Sequence, residues 1–198
     1  MSPDQLERAL ATIDSLNERD PNLISFSGEE RPKELVHSEL VSQWIERLDP
    51  NPSDALRLAA RAHHVERWVI PRSEYPKGRA GYLKWRAALQ RHHAATAEQV
   101  LAAQGVDSET TARVRDIICK RNLRSDPEVQ CFEDALCLVF LETQLTALAG
   151  RLDRDKMLKV LRLTLPKMSG AGREAALSLE LNAGDRALLQ QAVESWQS

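Results

Sequence analysis

Apolar positions recur every three to four residues along most of the chain, the period of helices that bury one face. Leu35, Val36, Leu40, Val41, Trp44, Ile45 and Leu48 form one such stripe, opened by Arg31-Pro32-Lys33 and stopped by Asp49-Pro50-Asn51-Pro52. Ser2-Pro3-Asp4 places a capping serine, a proline and an acid in order, which predicts a helix to about residue 19. Ser53 caps a third helix, expected to reach about residue 68. Residues 69–81 hold two prolines and two glycines and read as a long loop, a feature often tied to function. Further helices are predicted over about 82–104, with Gly105 ending the first of them, and over 108–121, 127–149, 154–168 and 183–196. One or two helical turns are expected over 173–179, and residues 20–28 read as a turn-rich connection. With no strand pattern and no internal repeat in the sequence, the expected fold is all-α, a single domain over 1–198.

Composition changes this picture little. The chain has 198 residues, 42% hydrophobic and 28% charged, enough for one domain with a sizeable core. A net charge of −2 gives no global pull toward nucleic acid or an anionic membrane, so no nucleic-acid partner is expected. Cys119, Cys131 and Cys137 form no disulfide framework and suit a reducing, cytoplasmic setting. The N-terminal segment is charged and amphipathic, unlike a signal peptide. The longest strongly apolar run, 135–141, is too short to span a bilayer, so no membrane partner is expected.

Candidate chemistry rests on the histidines. Only five occur, at 37, 63, 64, 92 and 93. His37 lies on the apolar stripe of its helix, His63 and His64 follow Ala59 and Ala60, and His93 follows Leu89 by one turn, so three helices each turn an imidazole inward. His92, offset from that stripe, is expected to face solvent. Neutral imidazole is a good ligand for zinc, iron, manganese or nickel. Asp134 leads into the apolar run Ala-Leu-Cys-Leu-Val-Phe-Leu two turns after its helix starts. A carboxylate buried there needs a cation or several hydrogen bonds. A metal would satisfy it, and so would pairing with Arg61 or Lys120. Lys167-Met168-Ser169-Gly170 is similar to the signature loop of class I aminoacyl-tRNA synthetases, but their other motif and their nucleotide-binding sheet pattern are absent from the sequence, and a chance match at a helix end is expected.

The order His37, His63-His64, His93, Asp134 resembles the HD-domain superfamily over about residues 32–145. AARAHHVERW resembles its segment ending in a His-Asp doublet, with His63 in the histidine slot and His64 in the aspartate slot, and EDALCLV resembles the helix that supplies its late aspartate. The segments GEERPKELVHSE, LRLAARAHHVERW, GRAGYLKWR and KRNLRSDPEVQCFEDALCLVFLE resemble the domain of unknown function 4202 family over nearly the full length. That resemblance implies an HD-like helical core at about 32–145 with a C-terminal helical extension, and no established activity. Two departures stand out. The doublet is His-His, and the position where many HD hydrolases carry another histidine pair reads Cys119-Lys120-Arg121.

The superfamily resemblance implies a metal-dependent phosphohydrolase acting on a nucleotide or another small phosphoester. One divalent transition metal (manganese, iron, zinc or nickel) would be held by His37, His63, His64 and Asp134. Glu66, His93 and Lys120 would take catalytic roles. Arg31, Lys33, Arg72, Lys77, Arg79, Arg121 and Arg124 would bind phosphate, since arginine offers a planar fork and lysine a point charge. The alternative is a non-catalytic HD-like module that binds a ligand or a protein. An iron oxygenase on the same scaffold is disfavoured by the missing histidine pair.

Overall fold

The computed structural model describes residues 1–26 and 28–197 and is all-α apart from one small hairpin. Helix α1 (Pro3–Asn17) begins at Ser2, whose hydroxyl accepts from the Gln5 N–H. It leads into β1 (Leu23–Phe26) and β2 (Glu29–Pro32), an antiparallel pair with Leu23 opposite Pro32 and Phe26 opposite Glu29. The sequence pattern instead marks residues 20–28 as a turn-rich connection and Arg31-Pro32-Lys33 as a helix start. Four residues per strand with half-exposed faces leave too little alternation to mark a strand. Helix α2 (Lys33–Leu48) follows directly. Its N-terminus is capped from a distance. The buried Asp20 accepts the Glu34 N–H at 3.0 Å and the Asn22 N–H at 2.9 Å, which fixes where α2 begins.

Helix α3 (Asp54–Ala62) is capped by Ser53 and lies at the centre of the molecule, with Leu56, Leu58, Ala59, Ala60 and Ala62 fully buried. Its alanines allow α1, α2, α4 (Gly78–Ala103), α5 (Ser108–Ile118) and α6 (Pro127–Thr143) to pack around it. Gly105, at φ +70, closes α4: the Val106 N–H returns to the Leu101 carbonyl and the Gly105 N–H to that of Ala102. The expected helix over 127–149 is broken at Gln144 into α6 and α7 (Leu145–Ala149). Helix α8 (Arg154–Thr164), a 3-10 turn at Leu165–Lys167, α9 (Gly170–Leu177) and α10 (Ala183–Gln197) complete the chain, α8 against α10 and α9 against α6. One hydrophobic cluster runs from Leu6 to Ala192 and joins the C-terminal helices to the rest.

Two corrections bear on the site. The third helix stops at Ala62 instead of running to residue 68, so His63 and His64 lie in the turn that follows it. The connection after it begins and ends earlier than expected, because α3 stops at Ala62 and α4 starts at Gly78.

Candidate metal centre

The helix end shapes the doublet. The His63 Nδ1–H donates to the Ala60 carbonyl at 2.7 Å, occupying the acceptor that would continue the helix. Val65 then bonds to the Ala62 carbonyl and Arg67 to that of His64 in tighter three-residue turns, with Glu66 in the left-handed region at φ +53. Both imidazoles are thereby turned to one place, their ring centres 4.2 Å apart. His37 arrives from α2. Its ring centre lies 4.9 Å from that of His64 and 5.1 Å from that of His63, and its Nδ1 is 3.0 Å from His63 Nε2. One nitrogen from each of His37, His63 and His64 falls within a 4.8 Å group, so the structure brings together three of the four residues expected to hold metal.

A carbonyl oxygen can only accept, so the Ala60 contact fixes the proton of His63 on Nδ1 and leaves a lone pair on Nε2. Glu34, one turn before His37, places Oε2 2.9 Å from His64 Nδ1, so the proton of His64 sits on Nδ1 and its lone pair on Nε2, while the lone pair of His63 accepts the His37 Nδ1–H at 3.0 Å. His93, buried on α4, donates from Nδ1 to the Val65 carbonyl at 2.8 Å, and its Nε2 is buried without a hydrogen-bond partner among the described residues. Its ring centre lies 5.6 Å from that of His64. Imidazoles held through one nitrogen by a carbonyl or carboxylate and presenting the other are what metal ligation requires. The separation also fits: two nitrogens each about 2.0–2.1 Å from one ion lie roughly 3 Å apart when mutually cis.

Electrostatics keep these rings neutral. Burial pushes His37 and His93 down to about 4. Burial first, then the neighbouring imidazoles, holds His63 well below the ordinary range; for His64 it is burial and then the Arg67 guanidinium. Arg67 stacks on Trp85, 5.0 Å from the ring centre, with its Nε 3.6 Å from Glu34 Oε1. Glu34 and Arg67 were missed from the sequence. The signal for Glu34 was its place one turn before His37 on a face otherwise apolar.

Asp134 lies outside the group. Its Oδ1 accepts the Ser169 N–H at 2.8 Å and the Gln130 side-chain amide at 3.0 Å, and its Oδ2 accepts the Ser169 hydroxyl at 2.5 Å. These hydrogen bonds satisfy the buried carboxylate without a cation, and Ser169 in turn caps α9 through the Gly172 N–H. The Lys167–Gly170 segment is therefore a helix start. Arg61 pairs with Asp14, and Lys120 with Glu133.

The remaining expected residues scatter. The Glu66 carboxylate faces His92 at 3.6 Å, and His92 is half-buried instead of facing solvent. Lys120, in the left-handed region at φ +53, holds its ammonium beside the buried Glu133 and 6.0 Å from the centre of the Phe132 ring, which in turn meets His63 edge-on. Arg31 makes a two-pronged pair with Glu39, Arg72 ties down the carbonyls of Tyr75 and Pro76, and Arg121 pairs with Asp116. Those three hold structure in this conformation. Lys77, Arg79 and Arg124 are exposed, and Lys33 is half-buried at the start of α2.

A family model described as "Domain of unknown function (DUF4202)" matches residues 7–189. The chain belongs to this family. No curated protein and no solved structure matches it. The matched span of the DUF4202 chain takes in every residue of the histidine cluster, together with Glu34, Arg67 and Asp134.

Proposed function

We propose that the histidine cluster binds one divalent transition metal, and that the protein is a metal-dependent phosphohydrolase acting on a nucleotide or another small phosphoester. The observation that carries the metal reading is the pairing of proton positions. His63 and His64 each give their Nδ1–H to a fixed acceptor, and one nitrogen from each of His37, His63 and His64 lies within 4.8 Å of the others. The hydrolase reading adds the HD resemblance and the cations nearby. A bound divalent ion would polarise a phosphoryl oxygen and acidify a water. Glu34 orients His64 and supplies negative charge beside three neutral ligands. The buried Nε2 of His93 is an acceptor suited to a water or a substrate hydroxyl. Arg67 and Lys120 offer positive charge for a phosphoester.

A specific observation favours the second reading, a non-catalytic module that binds an anion. The late aspartate of the HD pattern is engaged by Ser169 and Gln130, so no carboxylate from α6 completes the ligand set in this conformation. Elemental analysis of protein purified without an affinity tag should give about one transition metal per chain. A panel of nucleotides and p-nitrophenyl phosphoesters should then show metal-dependent turnover that is lost in His37→Ala. Metal that stays substoichiometric after addition of manganese, zinc, iron or nickel rejects the metal site. Bound metal with no turnover and retained phosphate binding selects the binding module.

A further inference from the structure

The stretch from Arg67 to Arg91 follows the histidine doublet and forms an exposed lip, tied to α2 where Arg67 lies between Glu34 and Trp85. It holds seven basic residues and a single acid, Glu74, in a chain whose net charge is −2. Positive charge is therefore concentrated here and offset elsewhere. Lys77, Arg79, Lys84, Arg86 and Arg91 are exposed. So are large apolar groups: of the seven exposed among the described residues, Val69 (49%), Tyr82 (43%) and Leu83 (54%) belong to this stretch.

The lip is built to present them. Gly81 sits against Pro76 so closely that a Cβ would lie 1.9 Å from the Pro76 carbonyl oxygen, which only glycine permits. The Trp85 indole N–H donates to the Ile70 carbonyl at 2.8 Å, and Arg72 secures two more carbonyls of the same loop. The loop is thus pinned to the inner face of the first turns of α4. Ala80, Leu83 and Ala87, spaced i, i+3, i+7, form an outward apolar stripe between Arg79 and Arg86 on one side and Lys84 on the other.

We propose that this lip attaches the protein to the surface of an anionic lipid bilayer. Leu83, Val69 and Tyr82 enter the headgroup boundary while the surrounding lysines and arginines meet lipid phosphates and carboxylates. The charge selects an anionic partner, and the apolar groups select lipid over nucleic acid. Tyr82 alone of the three offers a ring on which a base could stack; Leu83 and Val69, the two more exposed, are aliphatic, and a bilayer rewards their burial where a nucleic acid does not. The protein would lie on the membrane, since none of the helices described is long and apolar enough to cross one. The net charge of −2 gives the whole chain no pull toward such a surface, so the attraction would be local to the seven basic residues of this stretch.

The full chain should co-sediment with phosphatidylcholine vesicles containing phosphatidylserine, and not with phosphatidylcholine alone. Binding should weaken with added salt. Leu83→Glu, and separately Arg79→Glu with Lys84→Glu, should each weaken it by roughly tenfold or more with unchanged far-UV circular dichroism. His64→Ala should bind vesicles like the unaltered chain, so this outcome is independent of the metal reading. No sedimentation with either vesicle, equal sedimentation with both, or an undiminished Leu83→Glu variant would overturn the proposal. So would capture of single-stranded RNA in place of vesicles, lost in Arg79→Glu but kept in Leu83→Glu.

Discussion

Glu34 Oε2 lies 2.9 Å from His64 Nδ1, and Glu34 stands one turn before His37 on the same helix. A single helix therefore supplies both a ligand candidate and the carboxylate that orients another. Glu34→Gln retains the size of the side chain and its carbonyl acceptor but removes the charge. It should lower metal affinity by about 10–100-fold, the usual effect of losing such a partner. Isothermal titration of metal-free protein checks this, and unchanged affinity would place Glu34 outside the metal's influence.

His64→Asp and His64→Ala separate a ligand from a core histidine. The introduced carboxylate would face Glu34, so without metal the aspartate variant should melt below the alanine variant. Metal should reverse that order, because aspartate can ligate while alanine leaves an open, weak site. Thermal melts with and without added metal decide it. An aspartate variant that gains nothing from metal rules out the doublet as a ligand pair.

Acid should destabilise the metal-free protein well above the carboxylate range. His37 and His93 titrate near 4 when folded and near 6.5 when unfolded, so between those values the unfolded chain binds more protons. Their stabilising effect is complete above about pH 6.5 and is lost as pH falls toward 4, on the order of 3 kcal/mol for each. Denaturant midpoints across that window should fall steeply, and less so in His93→Gln. A flat profile would mean that the folded chain takes up these protons at the same pH as the unfolded one.

Asp134 should matter for stability and not for metal. Asp134→Ala strands the Ser169 N–H and hydroxyl and loosens the start of α9, at a cost of about 2–4 kcal/mol. Gly172→Ala should be comparably harmful, since its Cβ would lie 2.5 Å from Asp134 Cγ. Metal content of the folded fraction should be unaltered in both. Loss of metal in a well-folded Asp134→Ala variant would restore the aspartate to the ligand set.

The pattern of the chain determined the helices and much of their punctuation. Ser2 and Ser53 cap where the sequence places them, and Gly105 ends α4, because caps and terminal glycines act within one turn of backbone. The inward turn of His37 and His93 was legible for the same reason, as each follows from an apolar spacing on its helix. Which imidazoles meet was settled only by tertiary structure. The doublet faces His37 because the His63 ring takes the Ala60 carbonyl and ends α3 at Ala62, a competition between side chain and backbone that periodicity does not encode. The partner of Asp134 was equally hidden. Its burial demanded satisfaction, yet a metal, an arginine and a hydroxyl meet that demand alike, and the choice fell to Ser169 because α9 packs against α6 thirty-five residues later.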